Sequence, residues 1–340
     1  SVMLITHDMG VVSEIADTVH VMRQGRVVES APAERLFRSP QHDYTRALLS
    51  AVPSLQPREP RPAEARSPVL DVASLGKIYE SGGFLKRRTE KRAAADVTFQ
   101  LRPGRTLGIV GESGSGKSTV ARCVMRLIDP TDGAIRLGDA DITRLPPRQL
   151  RTQREKIQIV FQDPYRSLNP RRKIASSLIE GPVNFGVPRD QAVARAKTLL
   201  ETVGLTADAL DCYPHQFSGG QRQRIAIARA VAMEPDVIVA DEAVSALDVS
   251  VQDQVLRLLE KLQSDLGIAI LFITHDLRVA AQICDEVIVM QHGKVVEHGT
   301  AERVLVSPRH AYTRALIEAA PGRGWDFAAC REIALEPTGA

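Results

Sequence analysis

Residues 111–119 read GESGSGKST, and this stretch limits the possible fold more than any other part of the 340-residue chain. It follows the apolar run TLGIV, which predicts a buried strand, and it leads into STVARCVMRLI, whose apolar residues have helical spacing. The pattern G-x-x-x-x-G-K-[ST] between a strand and a helix is typical of a loop that wraps phosphate groups with its backbone N–H groups, at the positive end of the helix dipole. A Gly/Ser linker that happens to contain a lysine is the alternative, but it does not account for the flanking strand and helix.

The loop supplies candidate ligands for a nucleoside triphosphate and its magnesium ion. We expect Lys117 to reach the β- and γ-phosphates and Ser118 to give its hydroxyl to Mg²⁺. The candidate nucleotide-binding residues of the loop are Gly111, Glu112, Ser113, Gly114, Ser115, Gly116, Lys117, Ser118 and Thr119.

A second candidate site lies in DVIVADEAVSALD, residues 236–248. Four apolar residues lead to Asp241, which places its carboxylate at the C-terminal edge of a buried strand, where α/β sheets bind ligands. Asp241 is suited to hold Mg²⁺ through water, and Glu242 is suited to orient or deprotonate an attacking water. Taken alone, an Asp-Glu pair after a strand is more often a helix cap or a solvated turn, but the phosphate loop upstream favours the catalytic interpretation.

Strands and helices alternate through this region, which predicts an α/β fold. DVIVAD and IAILFITHD add buried parallel strands to TLGIV, and SVQDQVLRLLEKLQ has the spacing of a helix. The 44 Lys and Arg residues nearly balance the 41 Asp and Glu residues, so no basic excess indicates nucleic-acid binding. Four scattered cysteines predict reduced, buried thiols and neither disulfides nor a zinc site: Cys123, Cys212, Cys284 and Cys330.

The chain repeats itself at an offset of 268 residues. Residues 4–53 match residues 272–321 without a gap, and about half of the positions are identical. The match indicates a duplicated unit with an incomplete first copy, so we expect about two hundred residues of that copy before residue 1. Residues 1–53 are called the first unit, a C-terminal remnant, and residues 69–321 the second, complete unit.

The two units are joined by residues 54–68, whose prolines and charges predict an extended, semi-rigid linker and not a packed element. Residues 322–340 follow the second unit as a C-terminal tail.

The stretch FSGGQRQRIAIARA, residues 217–230, completes an ordered set of motifs that resembles the ATP-binding cassette (ABC) ATPases over nearly the whole chain. Ser218, Gly219, Gly220 and Gln221 resemble the signature loop of that family, which contacts the γ-phosphate of ATP held by the opposite subunit. A Ser hydroxyl and Gly amides that open a helix form an anion site. The alternative, a simple helix N-cap turn, does not account for the motifs upstream and downstream.

Further positions resemble the family one at a time. Gln162 in VFQDPYRSLNP resembles the glutamine that touches Mg²⁺ and couples the nucleotide to the transmembrane partner, with a polar residue at a strand end as the alternative. Asp248 resembles the aspartate that communicates across the dimer, and His275 resembles the switch histidine that contacts the γ-phosphate. Tyr79 resembles the aromatic residue that stacks on adenine, with a core aromatic as the alternative. His7 resembles a switch histidine that has no phosphate to sense.

Other features narrow the subfamily. HQFSGGQRQRIAIARA and RHAYTRALIEAAP look like the ATPases of oligopeptide and dipeptide importers, whose relatives also carry nickel, glutathione and peptide antibiotics. The insertion SGGFLKRRTEKRA, residues 81–93, fits that group, and its basic run predicts a solvated loop or, less simply, a contact with lipid headgroups. Phe217 stands where leucine is common in the family, and Ala243 where many relatives have proline. The tail contains only Cys330, so it predicts no metal cluster.

The resemblance implies a P-loop NTPase of the ABC type, with a RecA-like core, an antiparallel β subdomain and a helical signature subdomain. It implies ATP and Mg²⁺ as cofactors, with Mg²⁺ held by Ser118, Gln162 and Asp241. Glu242 and His275 are the implied catalytic residues. The implied function is ATP hydrolysis that energises import of peptides or related small solutes, at the cytoplasmic face of the bacterial inner membrane.

The implied partners are transmembrane permease subunits, against which residues 162–188 press, an external solute-binding protein and a second cassette. That cassette is either the rest of the first unit or a second copy of residues 69–321, and without it we expect ATP binding with weak hydrolysis. A non-transport ABC ATPase of the translation or DNA-repair type is the alternative, although such relatives usually carry helical arms, coiled coils or zinc modules. A module that binds ATP without hydrolysing it is a second alternative, disfavoured because Glu242 and His275 are both present.

Overall fold

A computed structural model describes residues 1–62, 66–81, 89–323 and 325, and the structural statements below refer to these residues. Most of the predicted basic insertion and most of the tail, including Cys330, lie outside the described residues. Among the helices of the described ranges, none combines the length and the apolar character needed to cross a membrane.

The second unit is built on a sheet with the strand order β12-β11-β5-β10-β9-β8. Its strands pair in parallel except β12, which pairs antiparallel with β11. Every residue of β5, β9 and β10 is buried, so the three near-continuous apolar runs are the predicted buried strands. The strand bounds are β5 (Thr106–Val110), β8 (Ile157–Phe161), β9 (Val237–Asp241), β10 (Ala269–Ile273), β11 (Glu286–Gln291) and β12 (Lys294–Thr300).

A second sheet is antiparallel, with the order β4-β3-β6-β7. Its apolar residues share one hydrophobic cluster with helix α4 and with residues of β5 and β11. This packing places the antiparallel sheet beside the loop between β5 and α4. The bounds are β3 (Leu70–Ser81), β4 (Thr89–Leu101), β6 (Asp132–Leu137), β7 (Ala140–Asp141) and α4 (Lys117–Val124).

A helical part lies between β8 and β9 in the chain. Its helices α7, α8 and α9 pack on one another in a second hydrophobic cluster, which also contains residues of β9, α10 and α11. The helices of the second unit after α4 are α5 (Pro147–Gln153), α6 (Pro164–Ser167), α7 (Ile174–Asn184), α8 (Arg189–Thr202), α9 (Gly219–Val231), α10 (Val249–Leu266), α11 (Leu277–Ile283), α12 (Ala301–Val306) and α13 (Ala311–Glu318), with 3₁₀ turns at Ala207–Asp211 and Pro214–Gln216.

The first unit repeats the last part of the second unit, element by element, at the offset of 268 residues. Both β1 and β11 carry an irregularity at equivalent positions, Val21/Met22 and Val289/Met290. Its elements are α1 (Met9–Ile15), β1 (Thr18–Arg23), β2 (Arg26–Pro32), α2 (Ala33–Arg38) and α3 (Asp43–Ser50), the counterparts of α11, β11, β12, α12 and α13.

Two sequence expectations are wrong. The match of residues 4–7 with residues 272–275 predicts a strand like β10 before His7, but residues 2–6 are not in a strand, and Val2 and Ile5 are 94% and 87% exposed. A buried strand needs neighbours on both sides, as β10 has in β5 and β9, and the described residues offer none to this segment.

The linker was expected not to pack. Residues 53–62 contain no helix or strand, but Arg58 and Arg61 dock on the second unit through Asp285. The thiols also differ in part from the expectation, because Cys123 and Cys284 are buried whereas Cys212 is half-buried.

Candidate functional site

The predicted site residues of three strands meet at one edge of the parallel sheet. The phosphate loop follows β5, the Asp-Glu pair ends β9 and His275 follows β10, and these three strands are neighbours. In the register of the sheet, Asp241 lies opposite Ile273, two residues before His275. Since the carboxyl ends of parallel strands share an edge, segments far apart in the sequence form one pocket edge.

The phosphate loop packs closely against neighbouring backbone at two of its predicted glycines, Gly111 and Gly116. Gly116 has a left-handed φ of 106° and directly precedes α4. A Cβ atom at Gly111 would overlap the Met290 carbonyl oxygen, and one at Gly116 would overlap that of Ala93. Glycine at both positions is therefore required by close backbone approach as well as by the turn.

Lys117 lies buried under this loop. Its Nζ donates to the carbonyl oxygens of Gly111, at 2.7 Å, and Glu112, at 2.9 Å. Burial lowers the pKa of Lys117, although the carboxylates of Glu242 and Asp241 oppose the change. The ammonium group is thus held at the base of the loop, where it would meet phosphate oxygens.

Ser118 and Asp241 form the predicted metal-ligand pair. The Ser118 hydroxyl donates to Asp241 Oδ1 at 3.1 Å, which joins the start of α4 to the end of β9. Burial raises the pKa of Asp241; the Ser118 hydrogen bond opposes this rise, and the neighbouring Glu242 carboxylate adds to it. A buried carboxylate beside a hydroxyl, with a second carboxylate next in the chain, is a donor set that a hard divalent cation favours.

Glu242 and His275 face each other at this edge. The distance from His275 Nδ1 to Glu242 Oε1 is 3.6 Å. Glu242 has a φ of 51°, which is uncommon for a non-glycine residue, and its N–H donates to the Ile273 carbonyl oxygen at 2.9 Å. The pairing with β10 holds a strained backbone at a residue with a predicted catalytic role.

An orphaned hydroxyl supports the fit to a phosphate ligand. Ser115 Oγ is buried and has no hydrogen-bond partner in the described part of the chain. The Ser115 carbonyl oxygen accepts from Gly293 N–H at 2.9 Å, which fixes the loop against the turn between β11 and β12. The other loop residues predicted from the sequence lie at the exposed tip, Ser113 and Gly114, or half-buried on α4, Thr119.

Three predicted residues lie at the margin of this group. Gln162 is exposed and directly follows β8, whose last residue Phe161 pairs with Asp241. Asp248 caps α10 from an exposed position. Tyr79 lies on β3, 37% exposed, with Lys77 Nζ 5.3 Å from its ring centroid. Adenine stacking by Tyr79 therefore stays a prediction.

The signature-like loop is part of the helical region and not of the pocket edge. Ser218 is the N-cap of α9 and forms a capping box with Gln221, with N–H to side-chain distances of 3.3 Å and 3.0 Å. Gly219 faces Tyr165, and a Cβ atom at Gly220 would overlap the Val251 side chain on α10. Gly220 therefore has a packing role that the motif alone did not predict. The helix of this loop packs on α6, α7 and α8, whereas α4 packs on β3, β4, β9 and β10.

Two residues missed by the sequence reasoning contact the predicted site. Gln223 on α9 is fully buried, and its Nε2 donates to the carbonyl oxygens of Ala243, at 2.6 Å, and Phe161, at 3.3 Å. These carbonyls directly follow Glu242 and directly precede Gln162. The Tyr312 hydroxyl accepts from the Glu112 N–H at 3.2 Å. The motif YTRAL, present in both copies, could have drawn attention to Tyr312.

Protein-family models match most of the chain in separate pieces. Residues 94–245 match the model of the ABC transporter. Residues 28–94 and 296–330 match the model described as oligopeptide/dipeptide transporter, C-terminal region. The predicted family and subfamily are both confirmed by these matches and by the relatives below.

Curated relatives include the glutathione import ATP-binding protein GsiA from several enterobacteria. The chain is 48% identical to the proteins of Escherichia coli O157:H7 and Shigella dysenteriae serotype 1, and 47% identical to that of Escherichia coli K12. Each alignment covers 94% of this chain and 56% of the relative. The chain thus spans about half the length of the curated relatives that it matches.

Solved structures confirm the predicted fold class. The cbiO1 protein from Clostridium perfringens, part of the ABC transporter complex cbiONQ, has a TM-score of 0.60 at 29% identity, covering 71% of this chain and 92% of that one. A dimeric post-hydrolysis state of the ATP-binding cassette MJ0796, bound to ADP and Pi, has a TM-score of 0.60 at 28% identity, covering 68% and 98%.

Proposed function

The chain belongs to the ABC transporter family, and we propose that its second unit binds and hydrolyses ATP to energise an importer of peptides or related small solutes. The observation that carries the proposal is the joint placement of two pairs at one sheet edge. Ser118 lies 3.1 Å from Asp241, and Glu242 lies 3.6 Å from His275. Ser118 and Asp241 are 123 residues apart in the chain, and together the four groups match the needs of phosphoryl transfer to water.

The binding part of the proposal rests on the phosphate loop. Backbone N–H groups of residues 111–119 surround the phosphates, Lys117 Nζ neutralises their charge from below, and the Ser115 hydroxyl gains the partner that it lacks. Ser118, Asp241 and Gln162 would hold a magnesium ion, which would supply positive charge beside the phosphates.

The hydrolytic part of the proposal rests on Glu242 and His275. Glu242 orients a water molecule and accepts its proton, since its carboxylate lies beside the predicted γ-phosphate position. His275 Nδ1 lies 3.6 Å from Glu242 Oε1, and the imidazole ring is proposed to contact the γ-phosphate beside that carboxylate. Both groups follow buried strands, so their positions are set by a rigid sheet.

We further propose that the signature loop of this chain acts on another cassette. Ser218 begins a helix that packs within the helical part, apart from the elements that carry Lys117. A complete site therefore needs the signature loop of a second cassette, from the longer protein or from a second copy of residues 69–321.

The proposed partners follow from the relatives. The curated relatives are named as glutathione import proteins, and one matched family model is named for oligopeptide and dipeptide transport. We therefore propose glutathione or other short peptides as the solute class, with membrane permease subunits and an external solute-binding protein as partners. The chain would then work as a peripheral protein at the cytoplasmic face of the inner membrane.

The test is ATP binding and phosphate release by the purified chain. Wild-type protein should bind radiolabelled ATP in the presence of Mg²⁺ and release phosphate at a rate per molecule that rises with protein concentration, because a second copy supplies the signature loop. Lys117→Ala should lose binding, whereas Lys197→Ala, an exposed lysine on α8, should not. Equal ATP binding by Lys117→Ala and wild type would contradict the proposal.

A further inference from the structure

The two units contact each other through equivalent surfaces. A Cβ atom at Gly10 would lie 2.6 Å from the Pro321 carbonyl oxygen and 2.8 Å from Arg278 Nη1. At the offset of 268 residues, Gly10 corresponds to Arg278 and Pro321 to Pro53. The reverse pair also meets, because Pro53 and Arg278 line one small cavity of about 120 Å³. In an isologous contact, if one residue of the first unit contacts a second residue of the other unit, the equivalents of these two residues also contact each other. Such a contact implies a two-fold relation.

Equivalent residues also meet at the centre of this contact. His7 and His275 line the same cavity, as do Asp8 and Asp276, the N-caps of α1 and α11. Burial raises the pKa of Asp276; hydrogen bonding and Arg278 oppose this rise, and Asp8 adds to it across the contact. Pairs of identical residues around one cavity are expected at a pseudo-two-fold axis.

The segments that follow the two units are exchanged between them. After the first unit, the Arg58 N–H donates to the Ala281 carbonyl oxygen at 3.1 Å, and Leu55 packs on the main hydrophobic cluster of the second unit. After the second unit, the Gly322 N–H donates to Glu14 Oε1 at 2.6 Å. The Trp325 ring lies 5.2 Å from that of Phe37 in the first unit. Each tail therefore lies on the opposite unit.

The exchange joins the cores as well as the surfaces. Val249, at the start of α10 in the second unit, belongs to the hydrophobic cluster of the first unit, and Trp325 packs against the same cluster. The guanidinium group of Arg38 lies 5.7 Å from the Trp325 ring centroid. Apolar burial of this kind favours a stable contact over a transient one.

We propose that the segment that begins at the switch histidine is a pairing module whose partner is another copy of the same module. The two copies are residues 7–62, from the first unit and the linker, and residues 275–325, from the second unit and the tail. The reciprocal contacts and the exchanged tails carry this inference, since chance packing of one segment on another would not follow the repeat offset in both directions. One family model matches residues 28–94 and 296–330, and each of these ranges overlaps one module.

The module joins two cassettes beside the catalytic edge of the sheet, because its first residue in the second unit is His275 and its Tyr312 contacts the phosphate loop at Glu112. This proposal rests on the proposed function in one respect, namely that cassettes open and close with ATP. We expect the contact between the modules to persist through that cycle. The two cassettes would then hinge about the module and would not separate.

A disulfide across the contact tests the proposal. An ideal Cβ atom at Gly322 lies 3.1 Å from Ser13 Oγ and 2.6 Å from Gly10 Cα, so cysteines at positions 13 and 322 come within reach of a disulfide once the backbone at Gly10 moves aside. The full chain carries Ser13→Cys and Gly322→Cys, with Cys212→Ser and Cys330→Ser as background. The control pairs Ser13→Cys with Gly25→Cys, because a Cβ atom at Gly25 has no neighbour within 4 Å.

We expect mild oxidation to give the peptide that links positions 13 and 322 in about tenfold higher yield than the control link, by mass spectrometry. ATP with Mg²⁺ should leave that yield within about twofold. No link above the control, or a yield that ATP with Mg²⁺ lowers severalfold, would overturn the proposal. Neither readout needs hydrolysis, so an inactive chain would count against the proposed function and leave this result decisive.

Fluorescence gives a second readout that does not need new cysteines. Trp325 is the one tryptophan of the chain, so its emission reports on docking against the first unit. Gly10→Ala and Glu14→Ala should each shift this emission to longer wavelength, although both substitutions lie more than 300 residues away in sequence. Ile15→Ala, at an exposed position of the same helix, should leave it unchanged. Unchanged emission in both Gly10→Ala and Glu14→Ala would contradict the module.

Discussion

Glu242 combines a strained backbone with a predicted role as general base. Its positive φ is held by the hydrogen bond to the Ile273 carbonyl oxygen, and its side chain lies beside His275. Glutamine keeps the shape and the N–H but cannot accept a proton, so this residue separates chemistry from folding.

Glu242→Gln should therefore lower the rate of phosphate release by about 100-fold or more while ATP binding is retained. The variant should also accumulate an ATP-bound closed dimer, visible by size-exclusion chromatography, because closure no longer leads to hydrolysis. The free energy of unfolding should change little. If Glu242→Gln turns over ATP at the wild-type rate, the role assigned to Glu242 is wrong.

Gln223 connects three parts of the site through one buried amide. Its Nε2 group ties α9 to the carbonyl oxygens next to Glu242 and Gln162. Gln223→Met removes these hydrogen bonds with little change in volume. We expect kcat for ATP to fall about tenfold with a smaller change in KM, and the unfolding free energy to fall by about 1–3 kcal/mol from the unpaired carbonyls.

Gln263→Met is the matched control for Gln223. Gln263 is equally buried on α10 and bonds to Thr106, far from the catalytic pairs. Gln263→Met should lower the unfolding free energy by a similar amount without changing kcat for ATP. Equal effects of both substitutions on kcat would reduce Gln223 to a structural role.

At the scale of elements, α9 and α10 approach closely because Gly220 has no side chain. A Cβ atom there would overlap Val251, so Gly220→Ala should destabilise the protein by about 1–3 kcal/mol through overpacking. Thermal unfolding measures the loss, and Val251→Ala combined with Gly220→Ala should recover part of it. Failure of Val251→Ala to recover any stability would contradict this contact.

The two copies of the YTRAL helix are each held by a carboxylate at the equivalent position, Glu29 in the first unit and Glu297 in the second. Glu297 accepts from Arg309 N–H at 2.8 Å and His310 N–H at 3.2 Å, and Glu29 accepts from Gln41 N–H at 2.8 Å and His42 N–H at 3.0 Å. Burial alone would raise the pKa of both groups, but these hydrogen bonds outweigh it and the net pKa is lowered in both. The ionised form is therefore the one that stabilises the fold.

A lowered folded-state pKa gives stability that is present above the unfolded-state pKa and is lost as pH falls through the folded-state value. Wild-type protein should therefore exceed Glu297→Gln in Tm at pH 7, and the difference should shrink below about pH 4. Differential scanning calorimetry over this range measures it, and Glu29→Gln should behave alike in the first unit. A Tm difference independent of pH would contradict the assignment.

At the scale of the whole molecule, Asp285 fastens the linker to the second unit. Its side chain is 10% exposed and pairs with Arg58 at 2.8 Å, with Arg61 at 2.9 Å and with Arg105 at 3.3 Å. The equivalent residue in the first unit, Asp17, is exposed. The buried cluster of ion pairs around Asp285 is therefore a feature of the second unit.

Asp285→Asn should remove the carboxylate that Arg61 and Arg105 share and leave Arg58 paired with Glu260, and it should lower the unfolding free energy by about 3 kcal/mol. Tryptic cleavage after Arg58 should become about tenfold faster, since the linker is released. Asp253→Asn, which breaks the pair with Arg257 on α10, is the control and should leave cleavage after Arg58 unchanged. Equal cleavage rates in wild type and Asp285→Asn would show that the linker is held by other contacts.

Local sequence pattern was enough to predict the buried strands and the repeated elements of the two units. The apolar runs before Gly111, Asp241 and His275 predicted the buried strands because a strand covered on both faces needs unbroken apolar residues. The repeat predicted equal element bounds in both units, since similar residues make the same local choices. The phosphate and metal contacts of Lys117 and Ser118 stay predictions from spacing and context.

Only the tertiary structure decided what depends on residues distant in sequence. Residues 2–6 share the pattern of β10 but form no strand, because pattern supplies the side chains and not the neighbouring strands. The linker composition predicted an extended, semi-rigid segment that does not pack, but Asp285, more than two hundred residues away, binds Arg58 of this segment. Three other features depend on groups that meet only when the chain is folded. They are the left-handed backbone of Glu242, the hydrogen bonds of the Gln223 side chain and the exchanged tails.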